Sequence, residues 1–346
     1  MTFSQHLINW YSINKRDLPW RNTTNPYPIW LSEIILQQTR VEQGMPYYFK
    51  FLKKFPSIQD LATADEATVL KLWQGLGYYS RARNLHTTAK YIAFELEGVF
   101  PNTFEGLLKL KGVGHYTASA IASICFNLPT PVVDGNVFRV LSRYFGIETP
   151  INSPKGIKEF RTLAASLINH EQPATFNQAI MEFGATQCKP QNPYCLHCPF
   201  NDSCIALQKN LIKSLPVKLK KTKVRHRYFN YLVIKTNNNE SVIKERTLKG
   251  IWQHLFEFPL IETDSPVNEN TLINLDSFKK EVEGRSFEIS LYNDIDIVHK
   301  LSHQHLHTKF WIVELESIEQ ETVPIDSLKQ YAVPVLIHNF LEEYTF

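Results

Sequence analysis

Four of the five cysteines in this 346-residue chain form one array, Cys188-x6-Cys195-x2-Cys198-x5-Cys204. Thiols spaced so closely either cross-link or fold back around a shared centre. The first thirty residues carry Lys15, Arg16, Asp17 and Arg21 among aromatics and lack the apolar core of a secretory leader. No signal peptide is therefore expected, and a cytoplasmic chain keeps its thiols reduced. Metal binding is favoured over disulfides on that ground. Only Cys195 and Cys198 make the short hook usual for zinc, and the wider spacers suit the larger circumference of an iron–sulfur cubane. Spacing alone leaves both centres open. Cys125, in IASICF, reads as a small core residue.

Net charge of +3 conceals an asymmetry. Residues 1–227 hold 27 Lys/Arg against 15 Asp/Glu, and residues 228–346 hold 10 against 19. Two domains are expected at this length, and the basic one is the better suited to a polyanion. Residues 112–133 carry no Lys, Arg, Asp or Glu, but Pro129, Pro131 and an opening Gly-Val-Gly argue for a buried helix and against a membrane span.

Apolar spacing predicts helices through most of the first 210 residues, with Trp30, Ile34, Gln37 and Val41 on one stripe of a long helix. Beyond Arg227, RYFNYLVIKT, SVIKE, SFEISL and TKFWIVELE alternate or are β-branched, as strands do. The fold class expected is a mainly α N-terminal domain followed by an α+β C-terminal domain. Residues 209–227, with eight Lys/Arg and no acid, read as a basic linker that could follow DNA phosphates.

Within the first part, TFEGLLKLKGVGHYTASAIASICF predicts helix, tight turn, helix. Gly112 and Gly114 leave amide N–H groups uncovered beside a helix N-terminus, an arrangement that holds a phosphate oxygen without reading a base. Some twenty residues on, Asp134 in PVVDGNVFRVLSRYFG is placed to cap a helix; helix-terminal N–H groups should hold it ionised and its pKa low. Glu33, in IWLSEIILQQT, is an acid among apolar neighbours, and burial should raise its pKa. One raised and one lowered carboxyl would suit an acid and a charge stabiliser at a glycosidic bond.

WLSEIILQQT, GVGHYTA, VDGNVFRVLSR and the cysteine array occur here in that order. Together they resemble the helix–hairpin–helix DNA glycosylases of the endonuclease III superfamily, and specifically the adenine DNA glycosylase (MutY) family. The resemblance implies a glycosylase domain over 1–208 with an iron–sulfur module at 188–204, the linker 209–227, and a nudix-like 8-oxoguanine-recognition domain over 228–346. It implies double-stranded DNA with adenine opposite 8-oxoguanine or guanine as partner. It implies a [4Fe-4S] cluster on Cys188, Cys195, Cys198 and Cys204, and a cytoplasmic, nucleoid-associated monomer. Glu33 would protonate a flipped adenine and Asp134 would face the sugar cation, with Asn136 and Tyr116 in support. Arg21 and Gln178 would line the adenine pocket. Gln38, Leu76 and Tyr78 would wedge into the stack, and Lys111, Gly112, Val113 and Gly114 would meet the backbone. Tyr116 stands where bifunctional relatives have the lysine that forms an imine, so base removal without strand cleavage is implied.

Later in the chain, GIWQHLFEFP and LSHQHLHTKFWIVE are similar to that family's nudix-like domain. No glutamate-rich metal box follows FEFP. Ser302 and His303 would sense 8-oxoguanine, with Leu301 where the family usually has phenylalanine. If a strand begins near TKFW, His303, His305 and His307 share a face; ordinary surface or lesion-reading roles are expected of them before metal binding.

Overall fold

The computed structural model describes residues 1–219 and 224–346. Residues 220–223 of the basic segment lie outside the described residues, and Arg225 to Arg227 of that segment open a strand. Two compact units emerge: Met1–Thr63 with Asn84–Lys220, and Ala64–Arg83 with Lys221–Phe346.

The first unit is helical. Its main core gathers the helices Phe3–Asn14, His115–Phe126, Gly135–Phe145, Pro154–Leu167 and Pro173–Thr186 around Leu7, Leu141, Phe160 and Phe176, all at most 1% exposed. Caps define these helices locally. Thr2 makes a reciprocal capping box with Gln5, Asn25 caps Pro26–Ile35, and Ser153 caps Pro154–Leu167 ahead of a proline that lacks the N–H a cap would satisfy.

The long helix expected from Trp30 through Val41 is two helices, Pro26–Ile35 and Val41–Lys54. Between them Gln38 takes a left-handed φ of 57°. Packing forces the break: a Cβ on Gly44 would come within 2.8 Å of Leu36 Cδ2, so the second helix folds back onto the end of the first. Periodicity continues across the turn and cannot reveal it.

The hairpin is present as expected, with the helix Phe104–Leu108, a turn, and the helix His115–Phe126. Gly112 has φ +80°, and a side chain there would meet Asn84 Cβ at 2.9 Å. Thr88 Oγ1 donates to the Lys111 carbonyl at 2.8 Å and fixes the turn from behind.

In the second unit the strands are Arg225–Thr236 (β1), Glu240–Ser241 (β2), Lys244–Glu245 (β3), Phe256–Glu257 (β4), Leu260–Thr263 (β5), Phe287–Leu291 (β6), Ile297–Lys300 (β7), Gln304–Leu315 (β8) and Val323–Pro324 (β9). Seven of them form one mixed sheet ordered β6-β8-β1-β2-β9, with β5 on β1 and β7 on β8; β3 and β4 pair separately. The central β1–β8 pair is parallel, running from Arg225↔Gln304 to Thr236↔Leu315. On one face Leu232, Ile234, Trp311 and Val313 pack with Leu272 and Phe278; on the other, Phe310 stacks on Phe340 at 4.3 Å. The stretch 64–83 joins this unit through Lys71 Nζ, which donates to the carbonyls of Lys329 and Tyr331 at 2.6 and 2.9 Å.

Candidate active site

A cleft of about 670 Å³ in the first unit is lined by Glu33, Gln38, Gly114, Tyr116, Asp134 and Arg161, among others. Four segments distant in sequence therefore meet there: the end of the Pro26–Ile35 helix, the hairpin, the Asp134 loop and the Pro154–Leu167 helix. Glu33 is partly open to the cleft, but its carboxyl sits deep. Burial pushes its pKa up to about 7, aided by negative Asp134 and opposed by a hydrogen bond from Tyr116. The Tyr116 hydroxyl also lies 3.2 Å from Met181 Sδ. Burial and the two carboxylates raise its own pKa well above the usual phenol value, so it remains a donor.

Asp134 is the N-cap of the Gly135–Phe145 helix. Its Oδ1 accepts from the Asn136 and Val137 amides at 2.9 and 2.8 Å, and its Oδ2 from Asn136 Nδ2 at 2.8 Å. The cap matches expectation; the lowered pKa does not. Burial raises the pKa of Asp134, and the bonds from Val137 and Asn136, with Arg139 nearby, offset only part of the rise. A cap visible in sequence fixes the donors, whereas desolvation depends on how much protein surrounds them.

Several positioning residues have no signal in the sequence. Asn177 is fully buried; its Nδ2 donates to Ser123 Oγ and the Thr130 carbonyl at 2.8 Å, and its Oδ1 accepts from the Val132 amide at 3.1 Å. It thereby holds the strand-like segment that delivers Asp134. Arg139 donates to Asn136 Oδ1 at 2.8 Å, to the Gly184 carbonyl at 2.6 Å and, through Nε, to the Cys188 carbonyl at 2.7 Å. One turn later Arg143 reaches Cys188 Sγ at 3.4 Å and the Lys189 and Pro190 carbonyls at 2.7 and 3.1 Å. Spacing of four puts both arginines on one helix face, where they span from Asp134's partner to the cysteine loop.

Close packing at Gly184 supports the same point. A Cβ there would approach Asn136 Cβ to 2.6 Å. We expect Gly184→Ala to displace Asn136 and with it Asp134, lowering the single-turnover rate of the reaction in this cleft about a hundredfold while far-UV circular dichroism is retained. An unchanged rate would show that Asn136 does not position Asp134.

All four cysteines of the array are unpaired, and all line one pocket together with Arg143. Backbone amides of Phe200, Ala206 and Leu207 point at the sulfurs of Cys198 and Cys204. Burial nevertheless pushes the Cys198 thiol up to about 12. Such thiols ionise only against a cationic centre, and amide donors to sulfur are what bound thiolates require. The donor set therefore fits a four-thiolate cluster. Cys125 is half-buried and, through burial, its thiol is pushed up to about 12, which makes it inert.

Other expected site residues are placed as follows. Arg21 and Gln178 line a second cleft of about 560 Å³, with no lining residue in common with the first. Gln178 Oε1 accepts from Tyr11 at 2.6 Å, and Arg21 pairs with Glu182 at 2.7 Å. Lys111, Gly112 and Gly114 are exposed on the hairpin, with Val113 buried at its centre, and Gln38 is exposed at the cleft rim. In the second unit Leu76 is 6% exposed and Tyr78 is 49% exposed. The Tyr78 hydroxyl lies 2.8 Å from Ser302 Oγ, so an expected wedge residue and an expected lesion-sensing residue are brought together. Ser302 and His303 are exposed between β7 and β8, where the Leu301 amide donates to the Gln304 carbonyl at 2.8 Å.

Residues 31–165 match the family model described as HhH-GPD superfamily base excision DNA repair protein, and residues 230–343 match that of the NUDIX domain. An adenine DNA glycosylase of Buchnera aphidicola (Schizaphis graminum) is 39% identical over 310 residues, covering 88% of this chain and 85% of its own. The chain belongs to the adenine DNA glycosylase family. The Mus musculus adenine DNA glycosylase is 46% identical over 216 residues, spanning 60% of this chain and 42% of that protein. Among solved structures, a thermostable thymine-DNA glycosylase superposes with a TM-score of 0.56 at 30% identity, covering 60% of this chain and 95% of its own. A non-covalent endonuclease III–DNA complex superposes with a TM-score of 0.52 at 22% identity, covering 61% of this chain and 99% of its own, and speaks for the fold. The first unit is thus the helix–hairpin–helix glycosylase fold, and the second is nudix-like with a mixed sheet. Among the described residues no helix is long and apolar enough to cross a membrane.

Proposed function

We propose that this base-excision repair glycosylase hydrolyses the N-glycosidic bond of adenine paired with 8-oxoguanine or guanine, using Glu33 as general acid and Asp134 as the stabiliser of the sugar cation. The observation that carries the reading is the pairing of a carboxyl with a pKa of about 7 and a triply hydrogen-bonded carboxylate in one cleft. Glu33 gives its proton to N7 of the flipped adenine. The C1′–N9 bond then breaks with its electron pair passing to N9, so adenine leaves neutral. Positive charge develops on the sugar, and Asp134, held rigid by its helix terminus, faces it without reorganising. Water adds at C1′ and returns a proton to Glu33, which restores the acid. Asn136 keeps the Asp134 carboxylate in place, and Tyr116 holds the Glu33 carboxyl.

The hairpin glycines, with Lys111, are assigned to DNA phosphate, and Gln38, Leu76 and Tyr78 to offsetting the few kcal/mol that unpairing and unstacking cost. By family resemblance we also assign Arg21 and Gln178 to the adenine base, and Ser302 and His303 to 8-oxoguanine. Cys188, Cys195, Cys198 and Cys204 would hold a [4Fe-4S] cluster, whose chemistry here is to bind the four thiolates and so brace the basic loop after Cys188.

Duplexes carrying adenine opposite 8-oxoguanine, incubated with protein and then alkali, test the reading. Adenine release without strand cleavage before alkali is expected, with no borohydride-trapped adduct. An adduct that disappears in Lys111→Ala would overturn the monofunctional mechanism. Activity confined to oxidised pyrimidines would overturn the substrate.

A further inference from the structure

The parallel register of β1 and β8 gathers a histidine cluster that alternation along β8 alone does not disclose. His226 stands opposite His305, and Tyr228 opposite His307, so all four side chains share one face of the sheet. Antiparallel β7 sets Val298 opposite His307 and the exposed Lys300 opposite His305, and Asp296, two residues before Val298, has the same parity. His303 precedes β8 and His299 lies opposite Leu306 on the other face, so neither belongs to this group.

Within it, His226 Nδ1 and His307 Nε2 point at one another across 2.8 Å. The other nitrogen of His307, Nδ1, is 3.8 Å from Asp296 Oδ2. Tyr228 stacks on the His307 ring, with centroids 4.9 Å apart and planes inclined by 25°. His305 presents its edge to His226 at 5.3 Å between centroids, and His226 and His307 are 5.1 Å apart.

We propose that His226 and His307, with His305 as third donor and Asp296 orienting His307, bind a divalent transition-metal ion of the zinc type. A carboxylate beside one imidazole nitrogen is the usual support for a metal-bound histidine; Asp296 stands 3.8 Å from His307 Nδ1, beyond hydrogen-bond length, and an incoming cation would displace the 2.8 Å contact that His226 makes with Nε2. With metal–nitrogen bonds of about 2.0–2.1 Å in tetrahedral array, imidazole centres around one ion lie roughly 5 Å apart. The observed separations of 5.1 and 5.3 Å meet that spacing. No group of three ligands is preassembled among the described residues, so the ion would part the 2.8 Å nitrogen pair by about half an ångström, draw His305 in and turn the exposed Lys300, which stands opposite His305, out to solvent. It would tie the start of β1 to β7 and β8, directly beside the turn that carries Ser302 and His303. Neither the glycosidic chemistry nor the four-cysteine site is required for this binding.

Calorimetric titration of the full chain with zinc chloride tests the site, comparing wild type with His226→Ala, His307→Ala, Asp296→Asn and His303→Ala. The four-cysteine site is common to all five proteins, so the histidine site appears as a difference between them. Wild type should bind one equivalent more than His226→Ala or His307→Ala. Asp296→Asn should keep that equivalent but bind it about tenfold more weakly, and His303→Ala should match wild type. His226 is exposed, so its variant decides the matter if His307→Ala does not fold. Equal zinc uptake by wild type and His226→Ala, or an equal loss in His303→Ala, would overturn the proposal.

Discussion

Glu33→Gln should lower the single-turnover rate of adenine release by about 10²–10⁴-fold, the range usual for removing a general acid. In the wild type the proton is available only while Glu33 is neutral, so the rate should fall as pH rises through about 7. The variant should lack that limb. Stability should move the opposite way. A carboxyl whose folded pKa is raised from 4.5 to about 7 binds its proton more tightly in the folded state. Its ionisation therefore penalises the fold above pH 7, and the penalty vanishes below about pH 4.5. Glu33→Gln removes it, so the variant should be more stable than wild type by about 3 kcal/mol at pH 8 and no more stable in acid. Urea titrations at the two pH values check this. A variant both inactive and destabilised at pH 8 would point to a structural role for Glu33.

Glu182→Ala should cost about 3 kcal/mol of stability, the lower end of what breaking a buried ion pair costs. Glu182 is 1% exposed and meets Arg16 Nε at 2.7 Å and Arg21 at 2.7 Å, while Arg21 also donates to the Arg16 carbonyl at 2.8 Å. Without the carboxylate, Arg21, whose side chain is 12% exposed, is left as an unpaired charge. The lower end applies because Arg16 is 37% exposed and can turn to solvent. Burial alone would raise the Glu182 pKa, but hydrogen bonds from Arg16 and Arg21 outweigh it and hold it at about 2. A depressed carboxylate contributes stability above its ordinary pKa of 4.5, lost as pH falls toward 2. The gap between wild type and Glu182→Ala should accordingly narrow in acid. A difference that is small and independent of pH would mean that the arginines find other partners.

Much of the site was legible residue by residue. Asp134 announced itself as a cap because an acid directly before a helical run has amides to satisfy, and the cap is there. Glu33 announced itself as an acid with apolar neighbours at helical spacing. Glu182 carries no local signal in FNQAIMEFGA because its partners, Arg16 and Arg21, lie more than 160 positions away. Asn177 was hidden likewise: an asparagine in a helix looks solvent-facing until the segment at 130–132 closes over it. The pKa of Asp134 rises where the cap alone implies a fall, because the local hydrogen bonds are written in sequence and the surrounding burial is not.

Alone, the sequence determined what depends on neighbours along the chain: the caps, the change from helical to strand-like texture, the glycine hairpin and the four-thiol array. Tertiary structure decided what depends on desolvation and on register. It broke the helix after Ile35 at the Gly44 contact, set stretch 64–83 with the second unit, and joined His226 to His305 and His307 by one parallel pairing. Contacts of that kind join residues whose separation along the chain carries no period, so spacing holds no record of them.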